Sequence, residues 1–197
     1  MKRIWGVAAI TGMAIGAFAA PQDATAKRAE AIWDRAIDRI NRQTDVWFID
    51  GDFPRVINLC RVMYALYPSD YEIATNLGWM LENIERWDEA LAVYIKFRTE
   101  NADDPDAAWP EANFYYMKKA YNKIPPILEP TLKMAHKPHP NNYRTLAHAY
   151  ERMNQLADCQ RIWKAYLMIA PDDAPAKNNL SRVEKKIRGE TVGKSGA

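Results

Sequence analysis

Residues 76–97 read NLGWMLENIERWDEALAVYIKF. The segment holds no nucleophile motif and no glycine-rich phosphate loop. Its apolar and small residues nevertheless recur at intervals of three and four. Leu77, Gly78 and Leu81 share one helical face; after Glu85-Arg86, so do Trp87, Ala90, Leu91, Tyr94 and Phe97. This spacing predicts two amphipathic helices, 71–83 and 87–99, joined by a short break. Gly78 and Ala90 carry little or no side chain, so the two helices can approach closely. The aromatic residues are then left to fill the space towards whatever packs next.

The same plan extends in both directions. Residues 28–48 place Ala29, Trp33, Ala36, Ile37, Ile40, Thr44 and Trp47 on one side of a helix, with charged residues opposite. Asp50-Gly51-Asp52 is a turn, and 54–66 restarts a helix with Pro54 in its first turn. Pro68-Ser69-Asp70 stops that helix and supplies the next N-cap. Further pairs are predicted at about 109–122 with 126–136 and at 141–153 with 156–169; a last helix covers about 174–188. Pro68 and Pro171 close comparable helices 103 residues apart, near three units of about 34. Leu77-Gly78 and Leu146-Ala147 lie 69 apart, near two units of about 34.

On these residues the chain resembles the tetratricopeptide repeat family over most of 37–173. Leu77-Gly78, Trp87, Ala90 and Tyr94 match the family pattern in one unit. Tyr143, Leu146-Ala147, Tyr150, Trp163 and Pro171 match it in another, and Gly51-Asp52-Phe53, Val56 and Pro68 in the first. The resemblance implies an all-α fold: a right-handed α-solenoid of about four helix-turn-helix repeats with a C-terminal capping helix. The unit 105–139 departs from the pattern. Pro125, Pro126 and Pro130 crowd its second helix, and its spacing is off by about one residue. It reads as a degenerate repeat with a kinked helix, or as a surface re-aimed for a partner.

The chain has 197 residues, 48% hydrophobic and 26% charged, a globular composition. A net charge of +2 argues against a nucleic-acid surface as its main business. Lys2 and Arg3, the apolar run 4–20 and two small-x-small sites, Ala17-Phe18-Ala19 and Ala24-Thr25-Ala26, outline a signal peptide over 1–26. The repeat domain then covers 27–188, followed by a disordered tail at 189–197. No cysteine stands near either cleavage site, and no later segment is apolar enough to span a bilayer. Export to a periplasm or beyond is the expectation. Cys60 and Cys159 fall on the second helices of repeats one and four, too far apart for a disulfide, and are expected to be buried thiols.

Catalytic and metal readings are weak. His136, His139 and His148 lack a fixed ligand geometry and acidic or thiol partners. Asp103-Asp104-Asp106 and Asp172-Asp173 lack a calcium-loop spacing and read as helix caps. No enzyme, cofactor or metal is expected. In the family the inner surface comes from residues flanking the core positions of each first helix. Here these are Asn41, Asp45 and Phe48; Thr75, Trp79, Glu82 and Asn83; Phe114, Met117 and Lys118; Arg144, His148 and Arg152. Such a mixed aromatic and polar face suits an extended peptide. The family's dicarboxylate clamp needs asparagine where Asp45 and Trp79 stand, so a cytosolic chaperone role is excluded. The function expected is a protein- or peptide-binding scaffold or adaptor in the cell envelope; the alternative is an envelope glycan binder using exposed aromatics.

Overall fold

The computed structural model describes residues 20–190, all helix, turn and loop, with no strand among them. α1 spans Ala20–Ile49, α2 Phe53–Leu66, α3 Tyr71–Asn83, α4 Trp87–Glu100 and α5 Trp109–Met117. α6 is the single turn Pro125–Leu128; α7 spans Pro140–Arg152, α8 Leu156–Ile169 and α9 Ala174–Ile187. Two compact units result, one ending at Asp50 and one beginning at Gly51.

In the first unit, α1 starts earlier than the amphipathic pattern alone requires. Ala24, Thr25 and Ala26, the second cleavage motif, lie within it. The first motif and the apolar start lie outside the described residues, as does the tail beyond Glu190. Ile32, Val46, Phe48 and Ile49 are exposed on α1. By register, Ile40, Thr44 and Trp47 stand 34 residues before Ala74, Gly78 and Leu81.

In the second unit, consecutive helices pack on one another: α2 on α3, α3 on α4, α4 on α5, α5 on α7, α7 on α8 and α8 on α9. The repeat is written in the backbone. Positive φ occurs at Gly51, Glu85, Lys119, Asn154 and Gly189, at intervals of 34, 34, 35 and 35 residues. After α3, α5, α7 and α9 the chain closes with a six-to-one hydrogen bond: Arg86 N to Leu81 O, Ala120 N to Tyr115 O, Gln155 N to Tyr150 O and Glu190 N to Lys185 O, all 2.9–3.0 Å. That motif ends α5 at Met117 rather than at 122. Its left-handed residue is glycine at only one of these four closures.

Buried side chains keep the same interval. In the second helices the equivalent positions are Val56, Ala90, Ile124 and Cys159; Cys60, Tyr94, Leu128 and Trp163; Met63, Phe97, Thr131 and Tyr166. All are buried except Cys60, which is half-buried; both thiols are free. In the first helices they are Ala74, Ala108 and Tyr143; Leu77, Glu111 and Leu146; Gly78, Ala112 and Ala147.

The third unit differs from a kinked helix. Its second helix is replaced by a 3-10 turn at Tyr121–Lys123, α6, and a second 3-10 turn at Thr131–Lys133. Pro125 and Pro126 open α6, where a missing N–H costs nothing, and Pro130 cannot continue it. Yet Ile124, Leu128 and Thr131 remain buried in register, so the spacing is intact here. The extra residue falls later, between Thr131 and Tyr143. Polar ties compensate for the lost turns. Glu129 accepts hydrogen bonds from the Tyr150 hydroxyl, at 2.7 Å, and from Arg161. Glu111, 4% exposed at a leucine position, accepts from Arg98 Nε at 2.6 Å.

Gly78 lies directly against the Tyr94 ring. A Cβ at Gly78 would overlap the Tyr94 ring and sit 2.6 Å from its hydroxyl oxygen. By register the equivalent pairs are Ala112 with Leu128 and Ala147 with Trp163, so the need for glycine is particular to how the Tyr94 ring lies over position 78. Gly78→Ala is expected to cost about 1–3 kcal/mol through overpacking. The cost should shrink in a Tyr94→Leu background, as a urea-denaturation double-mutant cycle would read. Glu85→Gly should stabilise the protein by about 1 kcal/mol, because a non-glycine residue held left-handed is strained; an unchanged midpoint would contradict that.

Candidate functional site

The core takes Ala74, Leu77, Gly78 and Leu81 from α3. The residues between them border a groove of about 480 Å³ together with α4 and α5. Thr75, Asn76, Trp79, Glu82 and Asn83 come from α3; Trp87 and Tyr94 from α4; Trp109, Pro110, Asn113 and Met117 from α5. Trp79 is 50% exposed and Trp87 38%. Helix geometry explains the selection: at 3.6 residues per turn, residues 75, 79, 82 and 83 fall beside the buried stripe and cannot join it.

Several of these side chains are held in place. The Tyr94 hydroxyl donates to Glu82 Oε1 at 2.7 Å. Burial, and then that carboxylate, push the Tyr94 phenol far above its ordinary value, so it remains a donor at any physiological pH. Asn83 Nδ2 donates to the Trp79 carbonyl at 2.8 Å, and Trp109 Nε1 to Thr145 Oγ1 at 3.1 Å. Lys118 Nζ lies 3.1 Å from the centroid of the Trp87 ring and 5.7 Å from that of Phe114.

Trp109 also borders a second pocket, of about 350 Å³, with Tyr71, Asp104, Asp106, His139, Asn141 and Asn142. Asp106 Oδ1 accepts from His139 N at 2.7 Å and from Asn142 Nδ2 at 2.9 Å. Asn142 is fully buried and its Oδ1 has no hydrogen-bond partner. Burial first, then Asp106 and Asp104, push the Tyr71 phenol up to about 12. Asp104 and Asp106 do not cap α5, whose N-terminus has no side-chain cap. Asp52, Asp70 and Asp173 do cap α2, α3 and α9.

Of the inner-face residues expected from sequence, Thr75, Trp79, Glu82, Asn83 and Met117 meet in the groove, with Lys118 at its edge on Trp87. Phe114 does not face it. That ring is 6% exposed, packed between Tyr94 and Tyr115 with centroids 6.2 and 5.9 Å away. Its equivalent 34 residues earlier is Met80, also buried. Counting in the same register, Trp109 and Asn113 are the equivalents of Thr75 and Trp79; the sequence reading missed both, together with Asn76 and Pro110, and assigned Trp87 and Tyr94 to packing alone. Arg144 is occupied elsewhere. Its Nη2 donates to Asp173 Oδ2 at 2.7 Å and to the Tyr166 hydroxyl at 3.2 Å, tying α7 to the cap of α9. His148 packs edge-on against Trp163, with centroids 5.2 Å apart. Arg152 is exposed. Asn41, Asp45 and Phe48 are on α1, in the unit that ends at Asp50.

Beside His148, Glu151 gathers three cationic or ionisable partners. His148 Nδ1 lies 3.7 Å from Oε2; Lys186 Nζ and Arg182 Nη2 lie at 2.6 and 2.7 Å. These interactions hold the Glu151 carboxyl well below the usual carboxylate range, against the opposing effect of burial. The His148 distance is too long for a direct hydrogen bond, so the lysine and arginine contacts fix the geometry. The network joins α7 to α9 and is structural. Among the described residues no group of three or more His, Cys, Asp or Glu is placed to hold a metal ion. No described helix is long and apolar enough to cross a membrane.

No protein-family model and no curated protein matches the chain. Solved structures do. A crystal structure of MamA protein aligns with TM-score 0.58 at 16% identity, over 74% of this chain and 79% of that one. A mutant of MamA aligns with TM-score 0.52 at 14% identity, over 79% and 90%. A tetratricopeptide repeat protein from Parabacteroides merdae aligns with TM-score 0.50 at 14% identity, over 77% and 58%. At these identities the likeness concerns the fold alone: the chain has a tetratricopeptide-like helical repeat fold.

Because the folded Glu151 carboxyl is depressed, its contribution is complete above the unfolded value of about 4.3 and disappears as pH falls towards the folded one. Thermal melts between pH 6 and pH 3 should show wild-type stability dropping below about pH 4.3. Glu151→Gln should lower the melting temperature at pH 6 and flatten that acid limb; an identical pH profile in both proteins would refute the assignment.

Proposed function

We propose that this tetratricopeptide-like chain is a non-catalytic scaffold that binds a protein partner in the groove between α3 and α5. The observation that carries the reading is Trp79, half exposed where the core does not need it. Trp87 and Trp109 stand beside it, with Asn76, Asn83 and Asn113 supplying backbone-compatible hydrogen-bonding groups. Tryptophan side chains bury much area at little conformational cost and are enriched at binding hot spots. The site proposed is narrower than the full inner face: Trp79, Glu82 and Asn83 with Trp87, Trp109 and Asn113.

The setting we propose is the cell envelope, on the strength of Lys2, Arg3, the apolar run 4–20 and the two small-x-small sites. Intact-mass measurement of the protein from its native host should give a chain beginning at Ala20 or Lys27. Recovery of the chain from the cytosolic fraction with residues 1–26 attached would overturn the export reading, whereas the same mass in the membrane fraction would replace cleavage by an uncleaved anchor. For the groove, a photo-crosslinking amino acid at position 79 or 113 should capture a discrete partner that the same group at position 164, on α8, does not. Trp109→Ala should abolish the adduct from position 79. Equal labelling from all three positions would remove the groove from consideration.

A further inference from the structure

We infer that the groove takes a cationic segment of its partner, a lysine or arginine side chain seated on the tryptophan faces beside Glu82. The inference rests on the reading of the groove as a protein-binding site. Its first support is Lys118. This exposed lysine from the end of α5 already places an ammonium 3.1 Å from the Trp87 centroid, so the ring face accepts a cation in this geometry. An aromatic face attracts a cation through its quadrupole, and the attraction grows as water is excluded. Lys118 is in this view a resident stand-in that an incoming basic side chain displaces.

The second support is charge. Glu82 is the one formally charged residue lining the groove, and the Lys118 ammonium at its edge over Trp87 is the nearby cation whose displacement leaves that carboxylate for an incoming one. Glu82 Oε1 accepts from Tyr94, which fixes the carboxylate's place in the groove. Across the shared Trp109 wall, the second pocket adds Asp104 and Asp106, again without lysine or arginine. Behind that wall the buried Asn142 Oδ1 has no hydrogen-bond partner. Two aromatic pockets side by side, one with Glu82 and the other with Asp104 and Asp106, fit a strand carrying two basic side chains. An acidic strand would meet repulsion in both.

The test is calorimetric titration of the full chain with a blocked tetralysine peptide, its fully Nε-acetylated counterpart, a blocked tetraglutamate peptide and chitotriose. Tetralysine should bind, and acetylation, which removes the charge but keeps the stem, should weaken it about tenfold or more. Glu82→Gln, which preserves the contact with Tyr94, should weaken tetralysine binding several-fold. Lys118→Met should strengthen it, because it removes the internal competitor from Trp87; melting curves establish that both variants are folded. Weaker tetralysine binding by Lys118→Met, equal binding of the charged and acetylated peptides, or preferential binding of tetraglutamate or chitotriose would each overturn the inference. The two readings fail separately. A crosslink from position 79 that is indifferent to Glu82→Gln and to acetylation of the captured partner's lysines sinks the cationic specificity and leaves the groove. Absence of any position-specific crosslink sinks the groove itself.

Discussion

A single helix pair in this chain cannot bury its own apolar face, and that shortage governs the rest of the structure. Each second helix must lie close to its own first helix and also offer side chains to the next pair. The two demands are met by one repeated set of buried positions, 34 or 35 residues apart. Where the space opposite is filled by the Tyr94 ring, position 78 has to be glycine. The left-handed residues after the first helices keep the same interval, because the direction in which each second helix departs is set by one backbone closure. Glu85 and Lys119 accept that conformation although neither is suited to it, a local cost outweighed by the stacking that it permits.

The third unit shows which part of the plan is indispensable. Helical hydrogen bonding shrinks to the single turn of α6 between two 3-10 turns, yet Ile124, Leu128 and Thr131 stay in their places. Burial in register matters more than continuity of the helix. The exposed backbone is steadied by side chains from neighbouring helices, through Tyr150 and Arg161 to Glu129. Thr131 bonds locally to the Leu128 carbonyl at 2.9 Å, which lets a polar residue occupy a core position. Glu111 is a second polar intrusion, tolerated because Arg98 reaches it.

The groove is a by-product of the same arithmetic. Once the stacking positions of α3 and α5 are assigned, the residues left over face one another across a gap. In this chain they are tryptophans, amides and one carboxylate. On α7 the corresponding residues went a different way: Arg144 was drawn to Asp173 and His148 to Trp163, so that stretch serves the docking of α9. Equivalent positions in a repeat thus carry binding in one unit and stability in another, according to which neighbours have an unmet charge or an open ring edge.

The sequence by itself determined the helical class, the repeat interval and most buried positions, because these depend on spacing along the chain. Trp79, Glu82 and Asn83 were legible for the same reason: the pattern around Leu77, Gly78 and Leu81 excludes them from the core. The tertiary structure alone decided that Phe114 is buried and Asn113 faces the groove. A shift of one residue at α5 is invisible until the closure at Lys119 fixes its rotation. It also decided that Pro125 opens a single turn, that Trp109 divides two pockets, and that Arg144 is spent on a helix cap. Those outcomes depend on which side chains from distant parts of the chain come within reach of each other, and spacing along one helix does not encode them.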